Sequence, residues 1–461
     1  MVLWYYLIKY FLSEADMANV KIDFTKITGE IKPLHGVGQP PMAGRNFSRF
    51  HYLTEAGVPF SRLHDVGGMF GGFRWVDVPN IFRDFDADEN DPASYDFAFT
   101  DLLITALMEA KVEPYFRLGV TIENDARIKA YRIYPPKDYA KWARICEHII
   151  RHYTEGWADG FEYKITYWEI WNEPDSFPDL IDNMMWLGSP ESYYEFYDIA
   201  AKHLKSCFPH LKIGGYAACG FYGIYEEKLD TPEKQKRFPY LIKYFKDFIA
   251  YIKKTGAPLD FFSWHIYDSS PKRFEGYAKF VRDTLDEAGY TETESSCNEW
   301  NCDSGTCGTY HHAAKTAAAL LALQKAGVDN SMFYDARYGL GRYSGIYNAY
   351  EERPHPAYYA LTAFNRLYEL KNQVLTECDD ERIYATAASD GKRGCLVLTN
   401  DTEEAIPLTL EANMDAVITL ITCDGMKIIN GESPKYDPKC DGAIPRPTEI
   451  PAESIITIIY R

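Results

Sequence analysis

From about residue 33 to residue 370 the chain alternates short apolar runs with longer stretches in which apolar side chains recur every three or four positions. The short runs read as strands: PLHGVGQ at 33–39, FSRLHD at 60–65, VEPYFRLG at 112–119 and YWEIW from Tyr167. LKIGGYA at 211–217, DFFSWHIYD at 260–268, SSCNEWN at 295–301 and SMFYDAR at 331–337 continue the series. Helices are predicted between them: about 46–56 closed by Gly57, TDLLITALMEAK, a Pro-opened PPKDYAKWARICEHIIRHY, Pro190–Ser206, Pro239–Lys254, Arg273–Ala288 and His312–Ala326. A last one, HPAYYALTAFNRLYEL, ends the series, and the stretch after the second strand reads as a long loop.

Eight strand candidates, each followed by a helix or a long crossover, predict a (β/α)8 TIM barrel with enlarged loops. An open doubly wound sheet is the alternative, weakened because no glycine-rich phosphate loop follows the first strand. Beyond about residue 373 the pattern changes. IYATAAS, CLVLTN, AIPLTLEA, AVITLIT and SIITIIY are short, β-branched and alternating, as in a small accessory antiparallel β-sandwich. NVKIDFTKITGEI, before the barrel, alternates in the same way and is expected to lend that sheet a strand. The expected division is 1–16 an N-terminal extension, 17–31 the contributed strand, 32–370 the barrel and 371–461 the sandwich.

Composition changes this picture little. Apolar residues at 46% and charged residues at 25% of 461 are ordinary for a folded protein. A net charge of −18 opposes phosphate backbones and anionic membrane surfaces, so nucleic acid and membrane are poor partners. The 15% aromatic content, with 36 Tyr and 9 Trp, suits either a tyrosine-rich core or rings that stack on a ligand. Ten scattered cysteines, with Cys297, Cys302 and Cys307 at five-residue steps, do not match a zinc pattern and favour reduced thiols. The opening MVLWYYLIKY carries Lys9 within its apolar run and has no basic lead, so Met17 is an alternative start. A cytoplasmic location is expected, with secreted or periplasmic left open.

Chemistry enters at the strand ends, where barrels of this kind carry their reactive groups. Glu173, in WNEP, follows the fourth strand candidate, and Glu299, in NEWN, lies at the seventh. The two face each other across the mouth. One carboxylic acid to protonate a leaving oxygen and one carboxylate to attack a sugar carbon or activate water are the equipment of glycoside hydrolysis. A single Glu at a strand end reads as a salt bridge; two opposed ones, each flanked by Asn and near Trp, read as catalytic. Glu169, in the same strand as Glu173, is expected to support packing or its neighbours.

WNEP at 171–174 with EWN at 299–301 resembles the clan of retaining (β/α)8 glycosidases. Within it, HGVGQPP at 35–41, SRLHD at 61–65, YPPKDYAKW at 134–142, WEIWNEPD at 168–175 and WHIYD at 264–268 resemble glycoside hydrolase family thirty-nine, known for β-xylosidases and α-L-iduronidases. The resemblance covers nearly the whole chain. It implies a retaining double displacement, with Glu173 as acid/base, Glu299 as nucleophile, and the carboxyls about 5 to 5.5 Å apart. It also implies that Asn172 bonds the hydroxyl beside the anomeric carbon and that Pro174 fixes the turn aiming Glu173. The Glu299 charge is expected to raise the Glu173 pKa until the nucleophile is esterified.

Arg62 and Tyr267 are the expected donors to Glu299, against an Arg62–Asp65 ion pair and a core tyrosine. His64 and His265 are expected to contact the sugar, against a structural role for each. Trp300 is expected in substrate binding, and Trp264 and Tyr334 are further stacking candidates; core packing explains all three equally well. An exo-acting β-D-xylosidase on plant-type oligosaccharides is the leading function. L-arabinosides, β-galactosides, uronides and a non-catalytic carbohydrate-binding barrel are the alternatives, and transglycosylation is a competing outcome. A uronide would need cations such as Arg117, Arg337 or Arg342. No metal or organic cofactor is implied; the partner is a carbohydrate, with a homo-oligomer possible. RLGVTIENDARIKAYRI, after the third strand, departs from the β-xylosidase pattern and leaves the cleaved sugar open.

Overall fold

A computed structural model of the chain describes residues 17–41, 50–66, 76–122, 132–337, 343, 345–348, 353–424, 427–428 and 446–461. Strand β1 (Ala18–Glu30) precedes eight parallel strands: β2 (Gly36–Gly38), β3 (Phe60–Leu63), β4 (Glu113–Leu118), β5 (Tyr167–Ile170), β6 (Lys212–Ala218), β7 (Phe261–Asp268), β8 (Glu294–Cys302) and β9 (Asn330–Phe333). These eight close in chain order, with Gly36 paired to Met332 and Val37 to Phe333. Each anticipated run supplies one of them, and the open-sheet alternative is set aside.

Helix boundaries follow local chemistry. The helix Tyr139–Thr154 is capped by Asp138, whose carboxylate accepts the Lys141 N–H at 2.9 Å, so the prolines before it do not open it. The helix expected from Pro239 starts instead at Pro232, capped by Thr231, and Pro239 lies inside it. Of two prolines in one apolar pattern, the one after a hydroxyl cap marks the start. The long loop after β3 also contains a turn of helix at Val78–Ile81 and a short 3₁₀ turn at Pro92–Ser94. The expected helix from 46 is seen as Phe50–Glu55; residues 1–16, 42–49 and Arg342 lie outside the described residues.

Strand alternation sorts the barrel into an inside and an outside. Phe60, Tyr115, Tyr167, Phe261 and Met332 meet near the strand starts as a separate apolar cluster. They come from β3, β4, β5, β7 and β9, which can meet only in the lumen. Outward residues such as Phe116, Trp168, Ile213 and Phe262 instead join the large core shared with the helices.

The accessory part is a nine-stranded sheet in which β1 lies parallel to Ile406–Ala412 and antiparallel to Asn372–Cys378. The Asn372–Cys378 strand was not anticipated, because NQVLTEC puts Asn, Gln and Glu among its apolar positions. Residues from both ends of the strand order, among them Val20, Leu408, Ile421 and Ile456, share one apolar cluster, so the sheet folds over on itself as a sandwich does. Its other face joins the barrel: Cys395, Val397 and Ile455 belong to the barrel's core. Thr399 Oγ1 donates to the Ala314 carbonyl at 3.2 Å, and Lys315 pairs with Asp401 at 3.1 Å. No described helix is long and apolar enough to cross a membrane.

Candidate active site

Two local distortions place the carboxylates. After β5 the chain turns sharply, with Trp171 at φ 74° and Glu173 at φ 42°, a left-handed region that non-glycine residues rarely adopt. The turn is held from the sides: Trp171 N–H donates to Leu118 O at 2.7 Å and Glu173 N–H to Ala217 O at 3.0 Å. Ser176 N–H closes it on Glu173 O at 3.0 Å. Backbone in such a region persists where surrounding bonds over-determine it, as they do here.

The second distortion is in β8. Its register with β7 pairs Trp264 with Cys297 but His265 with Glu299, leaving Asn298 as an extra residue. A bulge of this kind sets two consecutive side chains toward one side. Asn298 Nδ2 donates to Glu169 Oε1 at 2.6 Å, while Glu299 receives Arg62 Nη1 at 2.9 Å and the Tyr267 hydroxyl at 2.6 Å.

Arg62 ties the site together. Its Nε donates to Glu169 Oε2 at 2.8 Å, Nη1 to Glu299, and Nη2 to Asn172 Oδ1 at 2.6 Å. Burial opposes its charge, but the charges of Glu169 and Glu299 outweigh burial and hold its pKa above the ordinary value. The competing pair with Asp65 is not formed. Glu169 does support its neighbours, as the carboxylate that fixes Arg62. Burial and the Glu299 charge push the Tyr267 pKa well up, so this hydroxyl stays a donor.

His265 joins the two carboxylates. Its Nδ1 lies 2.7 Å from Glu173 Oε1 and 3.8 Å from Glu299 Oε2. One ligand atom from each of the three residues falls within 4.8 Å of the others, a set that could also hold a metal ion. Burial would lower the imidazole pKa, but the charge of Glu299 and the bond to Glu173 raise it. Burial conversely pushes Glu173 up, and the bond and charge from His265 win, holding it below the usual carboxylate value. This reverses the expected direction: the nearest charged group to Glu173 is an imidazole, not Glu299.

His64 is buried beside Asp65, with Nε2 3.3 Å from Asp65 Oδ1 and neither ring nitrogen hydrogen-bonded. Burial and the charges of Arg117 and Arg62 pull its pKa well down, so it is neutral. The buried Asn172 Nδ2, beside Arg62, likewise has no partner. Both match polar groups left for a ligand or water.

Trp300 is a correction. Its neighbour Glu299 faces the lumen, so Trp300 faces out, fully buried between Phe274 and Phe333 with Nε1 on Ser331 Oγ at 3.2 Å. Trp264 is likewise core, donating to Ser295 Oγ at 3.0 Å. Tyr334 stays near the site, 6.3 Å ring to ring from Tyr267, and its hydroxyl accepts from Gln39 Nε2. Arg117 Nη2 pairs with Asp77 at 2.8 Å while its buried Nε and Nη1 have no partner, and Arg337 pairs with Asp335 at 2.9 Å.

Sequence reasoning missed Asn298, Gln39, Cys219 and Asp175. Asp175 is buried, accepts the Cys219 N–H at 3.2 Å, and has its pKa pushed up to about 8 by burial and by the Glu173 charge. Burial and the Glu299 charge push Asp65 up to about 7. The signal for Asp175 was available: an acid two residues beyond Glu173, in a stretch that turns back into the barrel.

Known proteins resemble this chain in sequence and in fold. Residues 72–288 match the sequence model of glycosyl hydrolases family 39. A β-xylosidase of Geobacillus stearothermophilus is 23% identical over 390 residues, 74% of this chain and 72% of that protein. One from Caldicellulosiruptor saccharolyticus is 24% identical over 395 residues, 77% of this chain and 72% of that protein. The crystal structure of a glucosidase from Croceicoccus marinus has the same fold, with TM-score 0.72 at 21% identity over 96% of this chain and 99% of that one. A closed eight-stranded barrel, two carboxylates on one imidazole at its mouth and these matches lead to one assignment: the chain is a glycoside hydrolase, and its residues 72–288 resemble glycosyl hydrolases family 39.

Proposed function

We propose that this enzyme is a retaining, exo-acting β-D-xylosidase, with Glu299 as nucleophile and Glu173 as acid/base. The observation that carries the reading is the triangle of Glu173, His265 and Glu299 within 4.8 Å. Inverting enzymes separate their carboxyls by about 6.5–9.5 Å to admit a water between them, and retaining ones by about 5–5.5 Å. The xylose specificity is supported by two relatives named β-xylosidases.

In this mechanism Arg62 and Tyr267 keep Glu299 ionised and aimed while it attacks the anomeric carbon. Glu173 passes a proton to the leaving oxygen, and that proton is held by the Glu173–His265 pair. That transfer leaves the pair without its proton, and esterification of Glu299 removes the charge that favoured the imidazolium, so His265 is neutral beside an ionised Glu173. Glu173, now ionised, takes a proton from the incoming water, which releases the sugar with its configuration retained. Asn172 Nδ2 and His64 supply hydrogen bonds to the glycone.

Initial rates on nitrophenyl β-xyloside, α-L-arabinosides, β-galactoside, β-glucoside and an iduronide, for wild type beside Glu299→Ala, test the reading. Brisk release from the β-xyloside that disappears in the variant is expected. Faster release from another glycone would replace xylose while keeping the chemistry.

A further inference from the structure

The helix Tyr139–Thr154 and the helix Pro190–Cys207 pack side by side on the barrel's outside. Across their interface stand three groups with no part in the chemistry above. Glu147 Oε2 lies 2.6 Å from His203 Nε2, and Cys207 Sγ lies 3.9 Å from the same nitrogen. His203 and Cys207 are four residues apart, so they share one face of their helix. One ligand atom from each of the three lies within 4.8 Å of the others. We propose that Glu147, His203 and Cys207 bind a zinc-class divalent cation that clamps these two helices together.

The chemistry of the set fits such an ion. Zinc takes carboxylate oxygen and imidazole nitrogen at about 2.0–2.2 Å and thiolate sulfur at about 2.3 Å, in a tetrahedron. In that tetrahedron sulfur and nitrogen stand about 3.5 Å apart and nitrogen and oxygen about 3.3 Å. The His203–Cys207 spacing is already near this value, and the His203–Glu147 contact opens by about 0.7 Å to admit the ion. Glu147 is pre-oriented, because Arg151 Nε holds its other oxygen at 2.9 Å and leaves Oε2 turned toward the histidine. Outer partners of this type fix the direction of metal-binding groups. Arg151 is itself paired with Glu155, so its charge is compensated at the site. The side chains are accessible, His203 at 29% and Glu147 at 15%, which leaves water to fill the fourth position. As the ion enters, the Cys207 thiol loses its proton to solvent and binds as thiolate; nothing is oxidised or reduced.

A hydrogen-bond network alone accounts for Glu147, His203 and Arg151, and gives the sulfur only long contacts, 3.9 Å to His203 Nε2 and 4.0 Å to Ser206 Oγ. Sulfur is therefore the discriminating atom; a second thiol, Cys219, lies beside Glu173 with its Sγ on Arg237 Nη2 at 3.1 Å, and Cys207→Ser tells the two apart. The test uses the full-length protein stripped with a chelator and titrated with Co(II). The expected result is one thiolate-to-cobalt charge-transfer band in wild type, absent in Cys207→Ser, with binding about tenfold or more weaker in His203→Gln. Zinc is expected to raise the wild-type melting temperature more than that of Cys207→Ser. X-ray absorption on zinc-loaded wild type needs no variant, and is expected to give one sulfur at about 2.3 Å with nitrogen and oxygen neighbours. A wild type with no charge-transfer band, a band unchanged in Cys207→Ser, or zinc bound without sulfur would overturn the proposal.

Discussion

The two ends of the barrel lumen are built on the same strands and do opposite work. In β3 the inward positions run from Phe60 to Arg62, in β4 from Tyr115 to Arg117, and in β5 from Tyr167 to Glu169. In β7 they run from Phe261 through Ser263 to His265 and Tyr267. The floor is a set of rings in mutual contact, such as Tyr115 and Tyr167 at 4.9 Å. The mouth is a set of polar and charged groups, among them the pairs of Arg62 with Glu169 and Glu299 and of Arg117 with Asp77. Strands beginning in apolar plugs and ending in ionised groups separate folding energy from reactivity along a few residues. The mouth can be charged because the floor excludes water beneath it, where a low local dielectric strengthens each ion pair.

Substitutions at the two ends should therefore separate cleanly. The largest effect is expected at the mouth. Glu299→Ala should abolish turnover by many orders of magnitude. Glu173→Ala should lower kcat by about 10²–10⁴, and least for substrates whose leaving group needs no proton. Equal losses for good and poor leaving groups would count against Glu173 as the acid. Arg62→Lys should come next, because one ammonium cannot reach Glu169, Asn172 and Glu299 together. A loss of about 10²–10³ in kcat is expected, together with lower stability from buried carboxylates left short of a partner. A variant that lost stability alone would make Arg62 a structural residue.

At the floor the pattern should invert. Phe261→Ala should cost about 3–5 kcal/mol in denaturant unfolding while kcat on the folded fraction stays near wild type. The effect most diagnostic of the boundary between the two zones depends on pH. The native pKa of Asp175, about 8, stands above its ordinary 3.8, so the native state holds the extra proton between those values. That contribution is fully present below about pH 4 and is lost as pH rises through about 8. Asp175→Asn should thus be increasingly more stable than wild type as pH rises across this window. The gap should widen by roughly 1.4 kcal/mol for each pH step of one inside it. Melting temperatures from acid to mild alkali read it, and a pH-independent offset would mean that only a hydrogen bond changed.

Much of this was legible in the chain. The eight strands declared themselves as apolar runs, and WNEP and EWN marked the two carboxylates that meet at the mouth, because a carboxylate beside a buried run is a costly placement. Arg62 and Tyr267 fell where alternation puts them. What stayed hidden depended on relations between strands. Trp300 reads as a stacking ring until the bulge at Asn298 is known, since that extra residue decides which of two neighbours faces the sugar. The low pKa of Glu173 depends on His265, 92 positions away in sequence and 2.7 Å away in space. His203 and Cys207 carry recognisable spacing, but Glu147, on another helix, does not announce itself.

The Asn298 bulge also constrains how such a chain can change. The extra residue lets two neighbours face the lumen at once: the Asn298 amide reaches Glu169 while Glu299 receives Arg62 and Tyr267. Loss of Asn298 would restore ordinary alternation with Glu299 still opposite His265, but would remove the amide that holds Glu169 Oε1. Flattening the bulge at constant length would instead turn Glu299 outward and Trp300 inward. Register, more than residue type, therefore decides which side chain the lumen receives from this strand.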